Sequence, residues 1–319
     1  MDHFNPDLIS VIMPCYNAAS FVGEAVASAL GQTYVGIELI VVDDGSTDGS
    51  VEILEKLAAD HPGKMKLLFQ NRLGPYPARN VGLSHATGGK VAFLDADDLW
   101  REDCLQKLSS ALDESRSDVA YCGWQNFGEG APGTEAYIPP DYLAMDTTAE
   151  FLRSCPWPIH AALVRRPVLD AVRGFSERRF SSMDYDLWLR IYARTQKLVR
   201  VPEVMAFYRW HEKGQISRDK WRQVMDALQV RHDFVAHHPE RVTHLLADTI
   251  HELTEGFILK EAYRAYWMRD LPNAQALFRR AFTRGAWRMA DLKYILPSWL
   301  PGSLFLTLVK SVDRKRQVT

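Results

Sequence analysis

Four groups of polar residues, each directly after an apolar run, carry side chains that can do chemistry. They are Pro14-Cys15-Tyr16-Asn17, Asp43 to Asp48, Gln70-Asn71-Arg72 followed by Ala78-Arg79-Asn80, and Asp95 to Asp98. Oxygen ligands of this kind bind hard divalent cations, and arginines bind phosphate. The sequence therefore suggests a site for a metal ion and a phosphate-bearing ligand, provided that the four groups meet at one place.

The acidic pair around Ala96 has two interpretations. Asp95 and Asp97 are two residues apart, so in extended backbone both carboxylates face the same side and can share one cation. Oxygen-only ligation suits Mg²⁺ or Mn²⁺ bridging to phosphates. Alternatively, the segment is a solvated acidic turn that caps the next helix. The spacing alone leaves both possibilities open.

The second acidic group, Asp43 to Asp48, also has two possible interpretations. Ser46 or Asp48 could cap the helix that follows. Asp44 could instead accept hydrogen bonds from the imide of a nucleobase or from a ribose hydroxyl.

The elements that must position these groups alternate along the first hundred residues. Apolar runs at 8–13, 37–42, 65–69 and 90–94 predict strands, and helical segments separate them. This alternation predicts βαβ units and an α/β fold with a Rossmann-like, mostly parallel sheet flanked by helices. Ligands bind beyond the carboxyl ends of such strands, where all four polar groups fall.

Beyond this region the chain is predicted to become helical. We place a domain boundary so that residues 1–217 form the catalytic domain and 218–319 a C-terminal helical region, with helices expected at 221–237, 242–268 and 273–282. Residues 294–316 are apolar and aromatic and end in Arg314-Lys315-Arg316. This segment is either an amphipathic element that contacts an anionic membrane surface or a helix docked on the catalytic domain.

Composition and charge narrow the class of protein. The chain has 319 residues, 47% of them hydrophobic, and a net charge of −2, which argues against a nucleic-acid partner. The charge is uneven, because residues 260–319 hold twelve Lys and Arg and only four Asp and Glu. Four dispersed cysteines, no secretory signal and no run of about 18 apolar residues predict a cytoplasmic protein without a spanning helix.

Taken together, the four groups resemble one family. Residues 11–17 (VIMPCYN), 41–48 (VVDDGSTD), 78–80 (ARN) and 93–98 (FLDADD) resemble family 2 glycosyltransferases with the GT-A fold, over about residues 7–215. The resemblance implies transfer of a sugar from a nucleotide diphosphate donor, with inversion at the anomeric carbon and with Mn²⁺ or Mg²⁺. UDP is the expected nucleotide. The acceptor would be a hydroxyl of a glycan or lipid-linked glycan in cell-surface polysaccharide synthesis.

The resemblance also assigns residues. The donor would contact Pro14, Tyr16, Asn17, Asp43, Asp44, Arg72, Arg79, Asp95, Ala96, Asp97 and Arg209. Asp97, with Asp95 and His211, would hold the metal. Asp184 would be the catalytic base, although Met183 stands where the family usually has Glu, and a shifted register would give that role to Asp186. Independently of the resemblance, the position of Trp157 between Pro156 and Pro158 suggests that its ring contacts the acceptor.

Three other functions compete with that of a glycosyltransferase. A haloacid-dehalogenase-type phosphatase would need Thr or Val where Leu99 stands. A glycoside hydrolase would need two carboxylates facing across a sugar. A non-catalytic scaffold or glycan-binding subunit is the remaining alternative, raised by Met183. No Gln-x-x-Arg-Trp motif is present, the nearest string being residues 215–219, so a processive synthase is not expected.

Overall fold

The computed structural model describes residues 4–131, 133–178, 181–211 and 220–317, with the backbone alone for 312–317. The strands of this part of the chain are β1 Asn5–Cys15, β2 Ile37–Asp43, β3 Met65–Phe69, β4 Gly88–Phe93, β5 Leu99–Trp100, β6 Val119–Gly128, β7 Ala136–Tyr137, β8 Ala162–Arg165 and β9 Leu198–Trp210.

The α-helices of the same residues are α1 Val22–Leu30, α2 Ser50–Asp60, α3 Pro75–His85, α4 Cys104–Ser115, α5 Thr147–Arg153, α6 Arg166–Ala171, α7 Met183–Arg194, α8 Lys220–His237, α9 Pro239–Val242, α10 Ala247–Leu253, α11 Glu255–Trp267, α12 Leu271–Thr283, α13 Leu292–Ile295 and α14 Gly302–Gln317. Short 3-10 turns occur at Tyr142–Ala144, Ile159–Ala161, Met289–Asp291 and Leu296–Trp299.

One sheet contains all of these strands, in the order β3-β2-β1-β4-β8-β6-β9-β5, with β7 beside β6. The four predicted strands β1 to β4 pair in parallel. Beyond β4 the sheet is mixed, because β8 runs antiparallel to both β4 and β6, while β6 and β9 are parallel. The predicted α/β fold with a helical C-terminal region is confirmed, and the long strand β9 is an element that the sequence analysis did not identify.

The central strands explain why the sheet forms where it does. The side chains of β1 from residue 9 onward are buried without alternation, and most of β2 and β4 is buried in the same way. Uninterrupted apolar runs of this kind are typical of parallel strands covered on both faces. On one face Gly82 lets α3 approach β1, because a Cβ there would lie 2.5 Å from Cγ2 of Ile12. The absence of a side chain at residue 82 therefore allows α3 to pack directly on β1.

The chain divides into two compact units. The first comprises Met1–Thr147 and Cys155–Gln215, and the second Thr148–Ser154 and Ile216–Thr319. The second unit has its own apolar core, which includes Ile258 of α11, Leu277 and Phe278 of α12, and Phe305 of α14.

Two features of the second unit were not predicted from the sequence. The expected helix over 242–268 is broken into α10 and α11 at Thr254, whose hydroxyl donates to the Ile250 carbonyl at 2.7 Å. The short helix α5 belongs to this unit, since the buried guanidinium of Arg231 donates to the carbonyls of Leu152 and Arg153 at 2.6 and 3.2 Å. A side chain that binds a distant helix end in this way has no local sequence signal.

Candidate active site

The loops after β1 and β2 are bonded to each other at the rim of the sheet. The Asn17 amide donates to the Ser46 hydroxyl at 2.9 Å, and the Thr47 amide donates to Oδ1 of Asn17 at 2.8 Å. Asn17 has a positive φ of 49°, a conformation that Asn tolerates better than most residues. Asn17 therefore shapes this rim, and its assignment to donor binding stays a prediction.

The three aspartates of the loop after β2, Asp43, Asp44 and Asp48, form different hydrogen bonds. Oδ2 of Asp43 accepts the amides of Gly45 and Ser46, each at 3.0 Å, which forms the turn. Oδ1 of Asp48 accepts the amide of Ser50 at 3.1 Å at the start of α2, although the N-cap residue of this helix is Gly49 and neither Ser46 nor Asp48. Asp48 and Asp43 thus organise the backbone of the loop.

Asp44 is buried and holds the following loop in place. Its Oδ1 accepts from Nε2 of Gln70 and from the Leu73 amide, both at 2.7 Å, and its Oδ2 accepts the Gly74 amide at 2.8 Å. A nucleobase contact would have to use the lone pairs that these three bonds leave. The role assigned to Asp44 remains a prediction.

Tyr16 and Arg72 form a flat surface beside these loops. The guanidinium carbon of Arg72 lies 4.3 Å from the centroid of the Tyr16 ring, and Tyr16 is exposed. Arginine on an aromatic face is a cation–π pair. Pro14 is buried within β1, opposite Val42. The side chains that face solvent here are therefore those of Tyr16 and Arg72.

Arg79 is a buried cation next to the first aspartate after β4. Its guanidinium donates to Oδ1 of Asp95 and lies 5.6 and 5.4 Å from the rings of Tyr76 and Phe175. Its Nε is buried and has no hydrogen-bond partner among the described residues. A positive charge is thereby fixed beside Asp95.

Asp97 has a different partner. Its Oδ2 lies 2.9 Å from Nε2 of His211, whose ring is 4.9 Å from that of Phe21. Burial, together with the charge of Asp95, raises the pKa of Asp97, and the bond to His211 opposes the shift. Ala96 is buried between the two acids, which turn to Arg79 and His211 respectively.

The side chains of this rim include two that could be ligands of a divalent cation. Asp97 supplies a carboxylate and His211 a ring nitrogen, and these two atoms meet at 2.9 Å. The described residues contain no group of three or more His, Cys, Asp or Glu side chains arranged around one metal position. Mg²⁺ is typically held by one or two carboxylates with water and substrate phosphates completing the shell. The two residues therefore fit a cation whose other ligands come from a diphosphate.

Asp98, His160 and Arg209 lie behind the acidic pair. Oδ1 of Asp98 accepts the Arg209 amide at 2.8 Å, and its Oδ2 lies 3.1 Å from Nδ1 of His160. The Arg209 side chain donates from Nε to the Asp97 carbonyl at 2.7 Å. Arg209 thus bonds both the Asp97 carbonyl and the Asp98 side chain, which helps to fix the position of Asp97.

Burial controls the charge of this inner pair. It raises the pKa of Asp98 well above its usual range, with Asp97 and Asp95 adding to the effect. It also lowers the pKa of His160 to about 4. Burial thus disfavours the charged form of both side chains. The sequence analysis missed His160, which stands in an apolar stretch without any motif, whereas Asp98 could have been found as the third acid of FLDADD.

Asp184 reaches the same region from α7. It lies in the first turn of that helix, and its charge acts on Arg79 and on Tyr76. Burial raises its pKa above the usual value for Asp. Asp186 is instead buried and paired with Nε of Arg190 at 2.7 Å, so of these two acids Asp184 is the one whose charge acts on Arg79. Met183 is buried at the start of α7.

The prediction for Trp157 is wrong. The side chain is buried, and its ring stacks on Tyr121 at 4.3 Å between centroids, with Trp188 at 5.6 Å. Flanking prolines suggested an exposed ring, but the aromatic cluster takes it into the core. Residues 215–219, which include the segment compared with the processive motif, lie outside the described residues.

The fold is that of GT-A nucleotide-sugar transferases. Among the solved structures that match it are TarS 1–349 of S. aureus in complex with UDP-GlcNAc (TM-score 0.59, 20% identity, 97% of this chain and 92% of that one) and the mannosyltransferase PcManGT of Pyrobaculum calidifontis in complex with GDP-Man and Mn²⁺ (TM-score 0.58, 21% identity, 91% and 85%). At these identities the likeness concerns the fold.

Sequence comparison gives the family. The model of glycosyl transferase family 2 matches residues 10–173, and the chain belongs to that family. An uncharacterized glycosyltransferase of Nostoc sp., alr2836, is 44% identical over 209 residues, or 64% of this chain. TuaG of Bacillus subtilis, provisionally assigned to teichuronic acid biosynthesis, is 28% identical over 70% of this chain and 86% of its own length. The chain spans 49% and 65% of the first two curated relatives it matches.

Proposed function

We propose that this chain is a metal-dependent, inverting, non-processive glycosyltransferase. It moves a sugar from a nucleotide diphosphate sugar to a hydroxyl of a glycan or lipid-linked glycan acceptor. The observation that carries this proposal is the meeting of Asp97 and His211 at 2.9 Å on the rim that also holds the Arg79–Asp95 pair, with Asp184 coupled to Arg79.

Donor binding follows from the charges and flat surfaces of that rim. The Tyr16–Arg72 pair offers a plane on which the uracil or another base stacks, and Asp44 lies at the base of the same loops. Arg79 and Arg209 contribute positive charge toward the phosphates. Asp43, Asn17 and Pro14 keep these loops in position, and Ala96 provides the small buried residue between the two metal-side acids.

Asp97 and His211, with Asp95 beside them, would hold Mn²⁺ or Mg²⁺. When bound, the cation neutralises the negative charge that develops on the departing nucleotide diphosphate. Arg79 lies beside Asp95 and would stabilise negative charge at the same edge.

Asp184 is the proposed base. The acceptor hydroxyl oxygen forms a bond to the anomeric carbon, the bond from that carbon to the diphosphate oxygen breaks, and the hydroxyl proton passes to the Asp184 carboxylate. A raised pKa suits this task, because a carboxylate of higher pKa takes a proton more readily in the transition state. Attack on the face opposite the leaving group inverts the configuration.

The relatives give the best indication of the acceptor. TuaG is provisionally assigned to teichuronic acid biosynthesis, which supports a cell-surface polysaccharide. The donors named with the solved structures are UDP-GlcNAc and GDP-Man, so both nucleotides belong in a first screen, with UDP expected. We expect this chain to act in the cytoplasm.

The remaining candidate is a glycosyltransferase-like subunit that binds a sugar nucleotide without turning it over. Met183 favours it, since the side chain is buried and apolar where the family usually has Glu. The two functions differ in one measurable property, which is release of nucleotide diphosphate.

The experiment measures nucleotide diphosphate release from UDP- and GDP-sugars with Mn²⁺, Mg²⁺ or EDTA. We expect release that needs the metal and falls about 10²–10⁴-fold in Asp184→Asn, the usual contribution of a positioned base. Asp60→Asn is the matched control, because Asp60 is an exposed acid at the end of α2. Binding without release would favour the non-catalytic subunit, and neither binding nor release with any donor would contradict both functions.

A further inference from the structure

The second unit carries an exposed apolar surface near the end of the chain. Leu296, Trp299, Leu300, Leu304 and Leu308 form what we call the C-terminal apolar surface, and Trp299 and Leu304 are each more than half exposed, at 52% and 54%. Single exposed apolar side chains are common, but five within thirteen residues of one chain segment are not.

The structure separates this surface from the face that stabilises the unit. Phe305 and Val309 of α14 are buried in the core of the second unit. Leu304 and Leu308 lie four residues apart and therefore share a neighbouring stripe of the same helix, which stays exposed. The helix thus docks on its own unit with one apolar row and keeps a second apolar row at the surface.

The turn before α14 is held by polar bonds. Nε and Nη2 of Arg279 donate to the carbonyls of Ser298 and Leu300 at 2.6 and 2.9 Å, and Nε2 of Gln275 donates to the same two carbonyls at 2.9 and 2.8 Å. Four such bonds fix the backbone that carries Trp299 and Leu300. The exposure of these two side chains is therefore not explained by fraying of the chain, because the backbone that carries them is held by hydrogen bonds.

Two basic residues lie close to these apolar side chains in space or in sequence. Arg279 lies 5.8 Å from the Trp299 ring, and Lys310 is exposed two residues beyond Leu308. In sequence, α14 continues into Arg314-Lys315-Arg316, within the segment 260–319 that carries a net charge of +8. Apolar side chains rimmed by cations match a surface that is apolar below and anionic above.

We propose that the C-terminal apolar surface lies in the interface of an anionic lipid bilayer, with the cations at the headgroups. None of the helices among the described residues has the length and hydropathy of a membrane span. This inference concerns location, goes beyond glycosyl transfer, and can hold whether or not the proposed reaction does.

The test is sedimentation of the full chain with vesicles of phosphatidylcholine, with and without 30% phosphatidylglycerol as the anionic lipid. We expect co-sedimentation with the anionic vesicles and a partition coefficient at least tenfold lower with the neutral ones. Because headgroup contacts are screened by salt, binding should weaken at high ionic strength.

Substitution identifies the surface. Leu304→Ser with Leu308→Ser should lower the partition coefficient at least tenfold, while Leu246→Ser, at a 76% exposed leucine of the same unit, should leave it unchanged. Equal melting temperatures would show that the variants are folded. Wild type remaining in the supernatant, equal binding by the double variant, or a concentration-dependent dimer that the double variant abolishes without vesicle binding would each overturn the proposal.

Discussion

The buried carboxyl of Asp98 carries our most detailed prediction. Its Oδ1 accepts the Arg209 amide at 2.8 Å, and burial raises its pKa well above the usual range. If the carboxyl is neutral in the folded protein, Asp98→Asn replaces it by a group of the same shape and charge. Asp98→Ala instead removes the acceptor and leaves a cavity beside His160.

The magnitudes follow from these contacts. In Asp98→Ala a buried amide loses its partner, which costs about 1–3 kcal/mol, and the vacated volume adds about 1 kcal/mol. We therefore expect a loss of about 2–4 kcal/mol of unfolding free energy for Ala and less than about 1 kcal/mol for Asn. Because Arg209 in turn bonds the Asp97 carbonyl, the Ala variant should also raise the donor KM more than it lowers kcat.

Urea unfolding from pH 5 to 8 provides the assay. A folded pKa above the unfolded value of about 3.9 means that wild type loses stability as pH rises through the folded pKa. Asn does not titrate. The unfolding free energy of Asp98→Asn should therefore rise relative to that of wild type as pH rises. If Asp98→Asn is as unstable as Asp98→Ala at every pH, the carboxyl is charged and paired with protonated His160, and our reasoning is refuted.

Three further predictions concern other parts of the molecule. His211→Ala should weaken Mn²⁺-dependent donor binding by about tenfold or more, measured by calorimetry, while a variant that binds normally would remove His211 from the metal shell. The transfer rate should fall as pH drops through the raised pKa of Asp184, since the base becomes protonated, and a wild-type profile that is flat down to pH 4 would speak against this role. Arg231→Met should lower the unfolding free energy by about 2–5 kcal/mol and raise amide exchange in α5, because two helix-end carbonyls lose a buried donor; unchanged exchange there would show that the contact is dispensable.

The parts of the fold set by local patterns could be predicted. The buried runs of β1, β2 and β4 and the turns that follow them have strong apolar and polar signals, so the parallel half of the sheet was predicted from the sequence. The strand β9 was not, because its 13 residues are mostly half-buried, without a regular alternation or an uninterrupted buried run, and they pair with β6 and β5 far away in sequence. Such pairing depends on tertiary contacts.

The site shows the same division. Asp95, Asp97 and Asp184 could be identified because their motifs lie at element boundaries. Their partners could not: that Arg79 would bind Asp95 depends on how closely α3 packs on β1. His160 has no motif, and its role follows from burial beside Asp98, which is a property of the folded chain.

The central claim is that Asp97 and His211 hold a cation that binds the donor diphosphate. Isothermal calorimetry of the preferred sugar nucleotide, with Mn²⁺ and with EDTA, tests it most directly on wild type, Asp97→Asn and the control Asp60→Asn. We predict that Mn²⁺ strengthens donor binding to wild type and to Asp60→Asn by at least about tenfold and has little effect on Asp97→Asn. An equal gain from Mn²⁺ in Asp97→Asn, or no gain in wild type, would contradict the claim.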